Sequence, residues 1–515
     1  MQNKSIIALA SLAAIMGVIT MASSHHKSSG QSILRVSFPY SKSASEYEPA
    51  RIYLAPEYIF LENIYSPLVE MSPKTGEIVP GVAKSFGWVD TELHLTIRDD
   101  LKTISGQTIT AFDAEFSLKR VLAMPGNTHG NFRELICGNT TLASIEETCD
   151  GIRVEGQDLI LKTTKAGKTF LLPMLAAIDF AVIPRSSVDP LTLKITNYKD
   201  TSGPYYVYRD SDKGEIELHA NSSHYHYSEN IPQIISLVPS QPSNPRSSLD
   251  NFKDNRVDLI TTVDAARADD VIAFSRTESN AVLHTTMNIR SFVLLFTERG
   301  LKELSQDERF SIGKKLRESF AKKFAGQNGY ESSMQFFPPF SEGAVPNEKM
   351  AVIEKRFQTA GPVPTKSLSM TLVRLGDTSK FIEAIKAVLP QVQAIEAENN
   401  PNFKKYKSIS EMPHMVLVGP DTGFLEDIGL ISYSMNAGYF GGTSEERKEW
   451  LKKYVEIQNK TDRLSLLKQL HEEALSKPTV IPLLVAPYAA LARNSWKIGL
   501  SQLYANNQLW LIQRN

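Results

Sequence analysis

The side chains of this chain that could do chemistry are two cysteines, ten histidines and a scatter of carboxylates. Cys137 and Cys149 stand twelve positions apart around Gly138-Asn139-Thr140-Thr141. A redox or metal pair would want Cys-x-x-Cys spacing or neighbouring ligands, and this pair has neither. His219, His224 and His226 cluster with Tyr225 and Tyr227, but no further cysteine or carboxylate is spaced to complete a metal site, so the segment reads as hairpin surface. His25-His26 reads as a polar tail. His471-Glu472-Glu473 starts like a zincin helix, yet position 475 is Leu where the second histidine should stand. No G-x-S-x-G elbow, P-loop or dinucleotide glycine motif occurs in a fitting context. With no nucleophile–base pair and no metal set, the expectation is a protein that binds rather than catalyses, without cofactor or metal.

Composition narrows the class further. A balance of 56 Lys+Arg against 57 Asp+Glu leaves a net charge of −1 and no electrostatic footprint for nucleic acid or anionic membrane. A length of 515 residues allows two or three domains with sizeable cores. Residues 1–24 read as a signal peptide: Lys4 supplies the positive end, Ile6 to Met21 the apolar core, and Thr20-Met21-Ala22 or Ala22-Ser23-Ser24 the small residues for cleavage. Sixteen residues are short for a hydrocarbon core of ~30 Å, so a retained anchor is the weaker reading. A lipoprotein would need a cysteine just after the apolar run, and the first is Cys137. The expected protein is exported and soluble, periplasmic where the organism has two membranes. In an oxidising compartment Cys137 and Cys149 should form a disulfide.

The elements that must position any site begin with residues 60–122. Leu61 to Ile64 opens a short apolar-striped helix that stops near Pro67, because the residue before proline is pushed out of the helical region. Leu93, Leu95 and Ile97 alternate with His94, Thr96 and Arg98, the period of a half-buried strand. Thr110 with Asp113 predicts a helix N-cap, with Phe112, Phe116 and Val121 as its apolar stripe. Ile33 to Phe38, Leu159 to Thr163, Val257 to Ile260 and Phe292 to Phe296 read as further strands. Leu368 to Val373, the helix Phe381 to Leu389 and Met415 to Val418 give a strand–helix–strand order.

In that order, N-I-Y-S-P-L-V-E, P-K-T-G-E-I-V-P-G-V-A-K-S-F, L-H-L-T-I-R-D-D-L-K and S-G-Q-T-I-T-A-F-D-A-E-F-S-L-K-R-V-L resemble the extracytoplasmic solute-binding proteins of family 5. These are the oligopeptide/dipeptide substrate-binding components of ABC transporters. Ser202-Gly203-Pro204-Tyr205-Tyr206-Val207, followed by Ala220-Asn221 and Tyr225, resembles a second signature of that family. The resemblance runs over nearly all of residues 33–515 and implies an α/β fold of the type II periplasmic binding-protein kind. It implies a discontinuous large lobe I (31–60, 178–264 and 480–515), a small lobe II (61–177) and a lobe III (265–479), with chain crossings near Ala265 and Val480.

The resemblance also implies a function: peptide-like solutes captured by hinge closure and delivered to a membrane permease with cytoplasmic ATPases, by a monomer. Relatives of this class hold the ligand's α-ammonium on an aspartate after a lobe III strand. The matching place here is Val418-Gly419-Pro420-Asp421-Thr422-Gly423-Phe424-Leu425-Glu426-Asp427, which lacks the family's tryptophan. Asp421 is the first candidate, Asp427 the second and Glu426 the third, against the plain reading of Asp421 as an Asx-turn residue before Gly423. Tyr205 is a further ligand-binding candidate, its ring packed and its hydroxyl wet. Phe336-Phe337-Pro338-Pro339-Phe340 could touch ligand but reads first as lobe packing. The missing tryptophan keeps open the same fold with a nickel chelate, haem, sugar or signalling ligand; an exported enzyme is the remote alternative.

Overall fold

The computed structural model describes residues 32–39, 42–52, 55–124, 130–138, 142, 144–165, 167–211, 215–240, 247–264, 267–337, 340–372, 378–396, 407–420, 435, 440 and 443–515. The signal-peptide reading and His25-His26 lie outside them. No described helix is long and apolar enough to cross a membrane.

Strand Ile33–Phe38 is the hub of a seven-stranded sheet. It runs parallel to Ile234–Pro239 on one side and to Leu259–Ile260 on the other. Antiparallel strands extend both edges: Ile216–Ala220 with Tyr205–Asp210, and Ala489–Arg493 with Ala281–Thr285. Leu34, Val36 and Phe38 fall on one face, in a core shared with Tyr65, Tyr205 and Trp510. Phe252, Val271 and Leu491 fill a smaller core on the other. Gly203 explains the Ser-Gly-Pro-Tyr run: a Cβ there would lie 2.3 Å from the Ile64 carbonyl carbon, so only glycine lets the chain cross the end of helix Tyr58–Ile64.

A four-stranded antiparallel sheet comprises Ala83–Val89, Glu92–Ile97, Asp158–Lys162 and Ile152–Glu155. Leu93, Leu95 and Ile97 are buried, as their alternation requires, under helices Ala111–Ala123, Gly130–Cys137 and Gly167–Leu175. The capping box forms: the Thr110 side chain accepts from the Asp113 N–H, and Asp113 accepts from the Thr110 N–H at 2.9 Å. The cap sets the helix phase so that Ala111, Ala114, Leu118, Val121 and Leu122 face the core. Phe112 is therefore off the expected stripe and 62% exposed.

The six-stranded sheet runs Glu331–Ser332, Val480–Ala486, Arg290–Phe296, Met415–Val418, Leu368–Leu372 and Val392–Glu396. Its last three strands are mutually parallel, with helix Ser379–Lys386 carrying the crossover, as strand–helix–strand order predicts. Sheet membership puts both chain crossings later than the sequence suggested. Ala281–Thr285 still pairs with Ala489–Arg493 in the seven-stranded sheet, whereas Val480–Ala486 pairs with Arg290–Phe296 in the six-stranded one. The crossings are thus Thr286 to Ile289 and Pro487 to Tyr488. An all-buried run such as Val480–Ala486 has the same pattern in either sheet, so periodicity could not place it.

Cys137 and Cys149 are disulfide-bonded, with Cα atoms 5.0 Å apart. The bond ties the end of helix Gly130–Cys137 to the turn entering strand Ile152–Glu155, where the Cys149 carbonyl accepts from the Ile152 N–H at 2.9 Å. Replacing both cysteines by serine is expected to lower unfolding free energy by roughly 3 kcal/mol, the loop-entropy value for so short a closure. Urea denaturation of the double variant against the oxidised parent measures it.

Candidate functional site

Two lobes that meet at two crossings can only move about those crossings, so their bonding decides what the molecule can do. The crossings are bonded to each other. The Thr286 N–H donates to the Tyr488 carbonyl at 3.0 Å, and the Tyr488 N–H donates to Thr286 Oγ1 at 2.8 Å. The Arg290 guanidinium lies 4.2 Å over the Tyr488 ring and also donates to its hydroxyl. Arg267, entering helix Ala268–Ser275, pairs with Asp269 at 2.9 Å and donates to Tyr330 Oη at 3.0 Å, a second bond between the two large lobes.

Ligands of open α/β sheets bind outside the carboxyl ends of parallel strands, and both such edges are tied to these crossings. On the six-stranded lobe, strand Met415–Val418 runs out to Pro420, whose carbonyl accepts from the Ser291 N–H at 2.9 Å, just past the crossing. On the seven-stranded lobe the loop Ser501 to Asn507 does the equivalent. The Gln502 carbonyl accepts from the Met287 N–H at 2.7 Å, and the Asn506 carbonyl accepts from Thr262 Oγ1, beyond the end of strand Leu259–Ile260, at 3.1 Å. The loop then passes helix Tyr58–Ile64: the Asn507 N–H donates to Glu62 Oε2 at 2.9 Å and its carbonyl accepts from Asn63 Nδ2 at 2.8 Å.

Glu62 is the half-buried carboxylate at this wall. Desolvation by the surrounding protein raises its pKa from the usual carboxylate range to about 7, against the lowering influence of the Asn507 backbone and side-chain donors. Among the described residues it joins no ion pair. Sequence reading passed over it inside an apolar helix; its position four residues after Tyr58, amid fully buried Leu61, Asn63 and Ile64, was the available signal.

Other candidates fall elsewhere. Asp421, Glu426 and Asp427 lie outside the described residues, immediately beyond Pro420. Tyr205 corrects an expectation: it is wholly buried and its hydroxyl is dry, because strand Tyr205–Asp210 turns this ring into the core rather than towards solvent. Phe336 and Phe337 are lobe packing, edge-on to His471 and against Phe440. His471 accepts from the Phe336 N–H at 3.0 Å, which leaves Nδ1 to donate to the Gly343 carbonyl at 3.2 Å. Burial holds it neutral, with a pKa down to about 4.

The 219–226 histidines are not simply hairpin surface. His219 pairs with Glu217 at 2.7 Å and stacks on Tyr208, as a sheet-face residue should. His224 and His226 instead bind the four-stranded lobe to the seven-stranded one. His226 Nε2 meets Glu70 Oε2 at 2.8 Å and its ring stacks on Trp510; Tyr225 donates to the same carboxylate under the Arg98 guanidinium, 4.4 Å from the ring. His224 Nδ1 accepts from the His226 N–H at 3.1 Å, so Nε2 carries the proton and donates to Ser66 Oγ at 3.0 Å. An imidazole in that tautomer cannot take the serine's proton, so the pair is no nucleophile–base dyad. Among the described residues no three His, Cys, Asp or Glu side chains converge on a metal position.

No family model matches the chain, and no curated protein does. Solved structures do. The Escherichia coli murein tripeptide binding protein MppA superposes with a TM-score of 0.69 at 16% identity, over 94% of this chain and 99% of that one. The periplasmic binding protein DppA from Helicobacter pylori, solved with the peptide STSA, gives 0.70 at 14%, over 95% and 100%. NikA from Staphylococcus aureus, solved with Ni(L-His)2, gives 0.66 at 15%, over 94% and 100%. The chain has the periplasmic binding-protein fold.

The Glu62 environment carries its own pH signature. A carboxyl whose folded pKa is raised stabilises the fold while protonated, fully below its unfolded value, and loses that contribution as pH rises towards 7. Glu62→Gln stays neutral throughout. Relative to the parent it should be more stable at pH 8 by about 1 kcal/mol, after discounting for solvent access, with the gap closing by pH 4. Thermal unfolding across that range checks both size and sign.

Proposed function

We propose that this protein is the exported substrate-binding component of an ABC importer, which captures peptide-like solutes by hinge closure and hands them to a membrane permease driven by cytoplasmic ATPases. The observation that carries this reading is the pair of mutually bonded crossings at Thr286 and Tyr488, each tied to a strand-end edge. A machine built this way has one soft motion, rotation of one lobe about the hinge, and its natural use is to enclose a solute. MppA, which shares the fold, is named a murein tripeptide binding protein, and DppA, which also shares it, was solved with the peptide STSA. An extended peptide can add its backbone to protein strands while its side chains sit in hydrated space, which suits loose sequence preference.

Residues 1–24 serve as the cleaved signal in this reading, and the protein works as a periplasmic monomer without a lipid anchor. Asp421, with Asp427 second, follows the hinge-bonded Pro420 and is a candidate for the ligand's ammonium on the six-stranded lobe. Enclosure makes a partner necessary there, since a buried unpaired charge is prohibitive.

The test is native mass spectrometry of protein purified from its own periplasm, with identification of what denaturation releases. A ladder of short peptides is the expected result, and Asp421→Asn should then retain them less well. Release of one defined non-peptide solute, such as a nickel chelate, would sink the peptide claim while leaving the binding role.

A further inference from the structure

We infer that helix Gly167–Leu175, with Phe170 at its centre, is a latch that holds the four-stranded lobe against the six-stranded one and must let go before the molecule opens. The inference rests on the reading above of the crossings as a hinge, and names what restrains that hinge when no solute is bound.

Chain topology carries it. The strands of the four-stranded sheet lie in the chain between Phe38 and Tyr205, which both belong to the seven-stranded sheet. The chain therefore enters and leaves the four-stranded lobe from the seven-stranded one, and reaches the six-stranded lobe only by the crossings beside Thr286 and Tyr488. Yet the four-stranded and six-stranded lobes touch, so three lobes close a ring of three contacts. Rotation at one contact of such a ring requires another to part. The crossings can turn without parting, and the Arg267–Tyr330 bond lies beside them, one residue from Gly329, which abuts Pro487. Between the four-stranded and seven-stranded lobes, wholly buried Arg120 binds Glu48 at 3.0 Å and Glu70 binds His226 at 2.8 Å. Parting there strands charges in a dry site. That leaves the third contact.

Its makeup fits a joint that opens. Phe170 leaves the core of its own lobe and lies, 4% exposed, in that of the six-stranded lobe. Leu135 and Met174 pack on both cores. The seat is residues 457–459, between helices Ser444–Glu456 and Lys460–Ser476. Gln458 Nε2 donates to the Lys165 carbonyl at 2.8 Å, and Arg463 Nη1 donates to Thr169 Oγ1 at 3.5 Å. The same Nη1 donates to the Ile457 and Gln458 carbonyls at 2.8 and 2.9 Å, which shapes the seat whether or not the helix is in it. Lys165 and Gln458 are exposed and Thr169 is half-buried, so water can replace each of these rim bonds and no charge is stranded. Leu135 is braced from behind: its carbonyl accepts from Thr163 Oγ1 at 2.9 Å, and the Cys137–Cys149 bond follows two residues on. The latch thus moves with its lobe, and the apolar middle of the contact supplies the grip.

The experiment is small-angle X-ray scattering of mature protein freed of co-purified solute, with and without trialanine. The parent is compared with Phe170→Ala, with the double variant Thr169→Val and Gln458→Ala, and with Phe112→Ala, an exposed phenylalanine of the same lobe as control. Circular dichroism first establishes that each keeps the parental helix content. The expected result is a larger radius of gyration for solute-free Phe170→Ala than for the parent, a smaller shift the same way for the double variant, and none for Phe112→Ala. If Phe170→Ala scatters as the parent does, the latch is overturned, and contraction of either protein by trialanine then leaves peptide binding standing. Should Phe170→Ala lose helix content, the double variant decides, and parental scattering from it overturns the latch. Equal expansion in Phe112→Ala overturns it too, as general loosening of the lobe. Expansion of Phe170→Ala that trialanine does not reverse keeps the latch and counts against the peptide reading.

Discussion

The geometry of this molecule depends on two strands of chain that cross between lobes at the same place and hold on to each other. Thr286 is bonded to Tyr488 through both its backbone and its hydroxyl, and Arg290 closes over the Tyr488 ring. Had the crossings been far apart, the lobes would be pinned at two points with little freedom to turn. Had there been one, the lobes would be tethered with no defined axis. Two adjacent crossings leave a single axis, and everything tied to them inherits its position relative to that axis. Pro420 on one side and the Ser501 to Asn507 loop on the other are so tied.

The remaining contacts between lobes divide into a permanent set and a breakable one. The four-stranded and seven-stranded lobes are joined by buried polar groups: Glu70 with Tyr225 and His226, Ser66 with His224 and Ser202, and Arg120, wholly buried, with Glu48 and the Leu193 carbonyl. Separating any of these would strand a charge or a donor in a dry site, so this interface is costly to open. The contact between the four-stranded and six-stranded lobes is of another kind. Phe170 of helix Gly167–Leu175, only 4% exposed, joins the apolar core of the six-stranded lobe with Leu135 and Met174 packed against it, flanked by bonds from Gln458 Nε2 to the Lys165 carbonyl at 2.8 Å and from Arg463 Nη1 to Thr169 Oγ1 at 3.5 Å. Exposing a phenylalanine costs about 1.5–3 kcal/mol, a sum that thermal motion and ligand binding can trade against.

Much of this was legible in the sequence because it is local. The alternation of Leu93, Leu95 and Ile97, the Thr110 cap and the short Cys137–Cys149 loop all follow from residues near one another in the chain. The crossings were displaced in the reading because Val480–Ala486 is buried on both faces, and a run without a polar face carries no record of which sheet it joins. His224 and His226 were misjudged for a different reason. Their partners, Ser66 and Glu70, stand more than 150 positions earlier, and nothing around the histidines announces them. Glu62 is the extreme case, since Asn507 is 445 residues away and only the fold makes them neighbours.

That pairing across the chain also bears on why a carboxylate should sit where it destabilises the empty protein. Raising the Glu62 pKa to about 7 means that near neutrality the ionised form is held at a cost, offset only by the Asn507 donors. A cation placed against it lowers that cost, and does so more strongly as water leaves, because the same charge pair interacts several-fold more strongly at an effective dielectric near 20 than in bulk water.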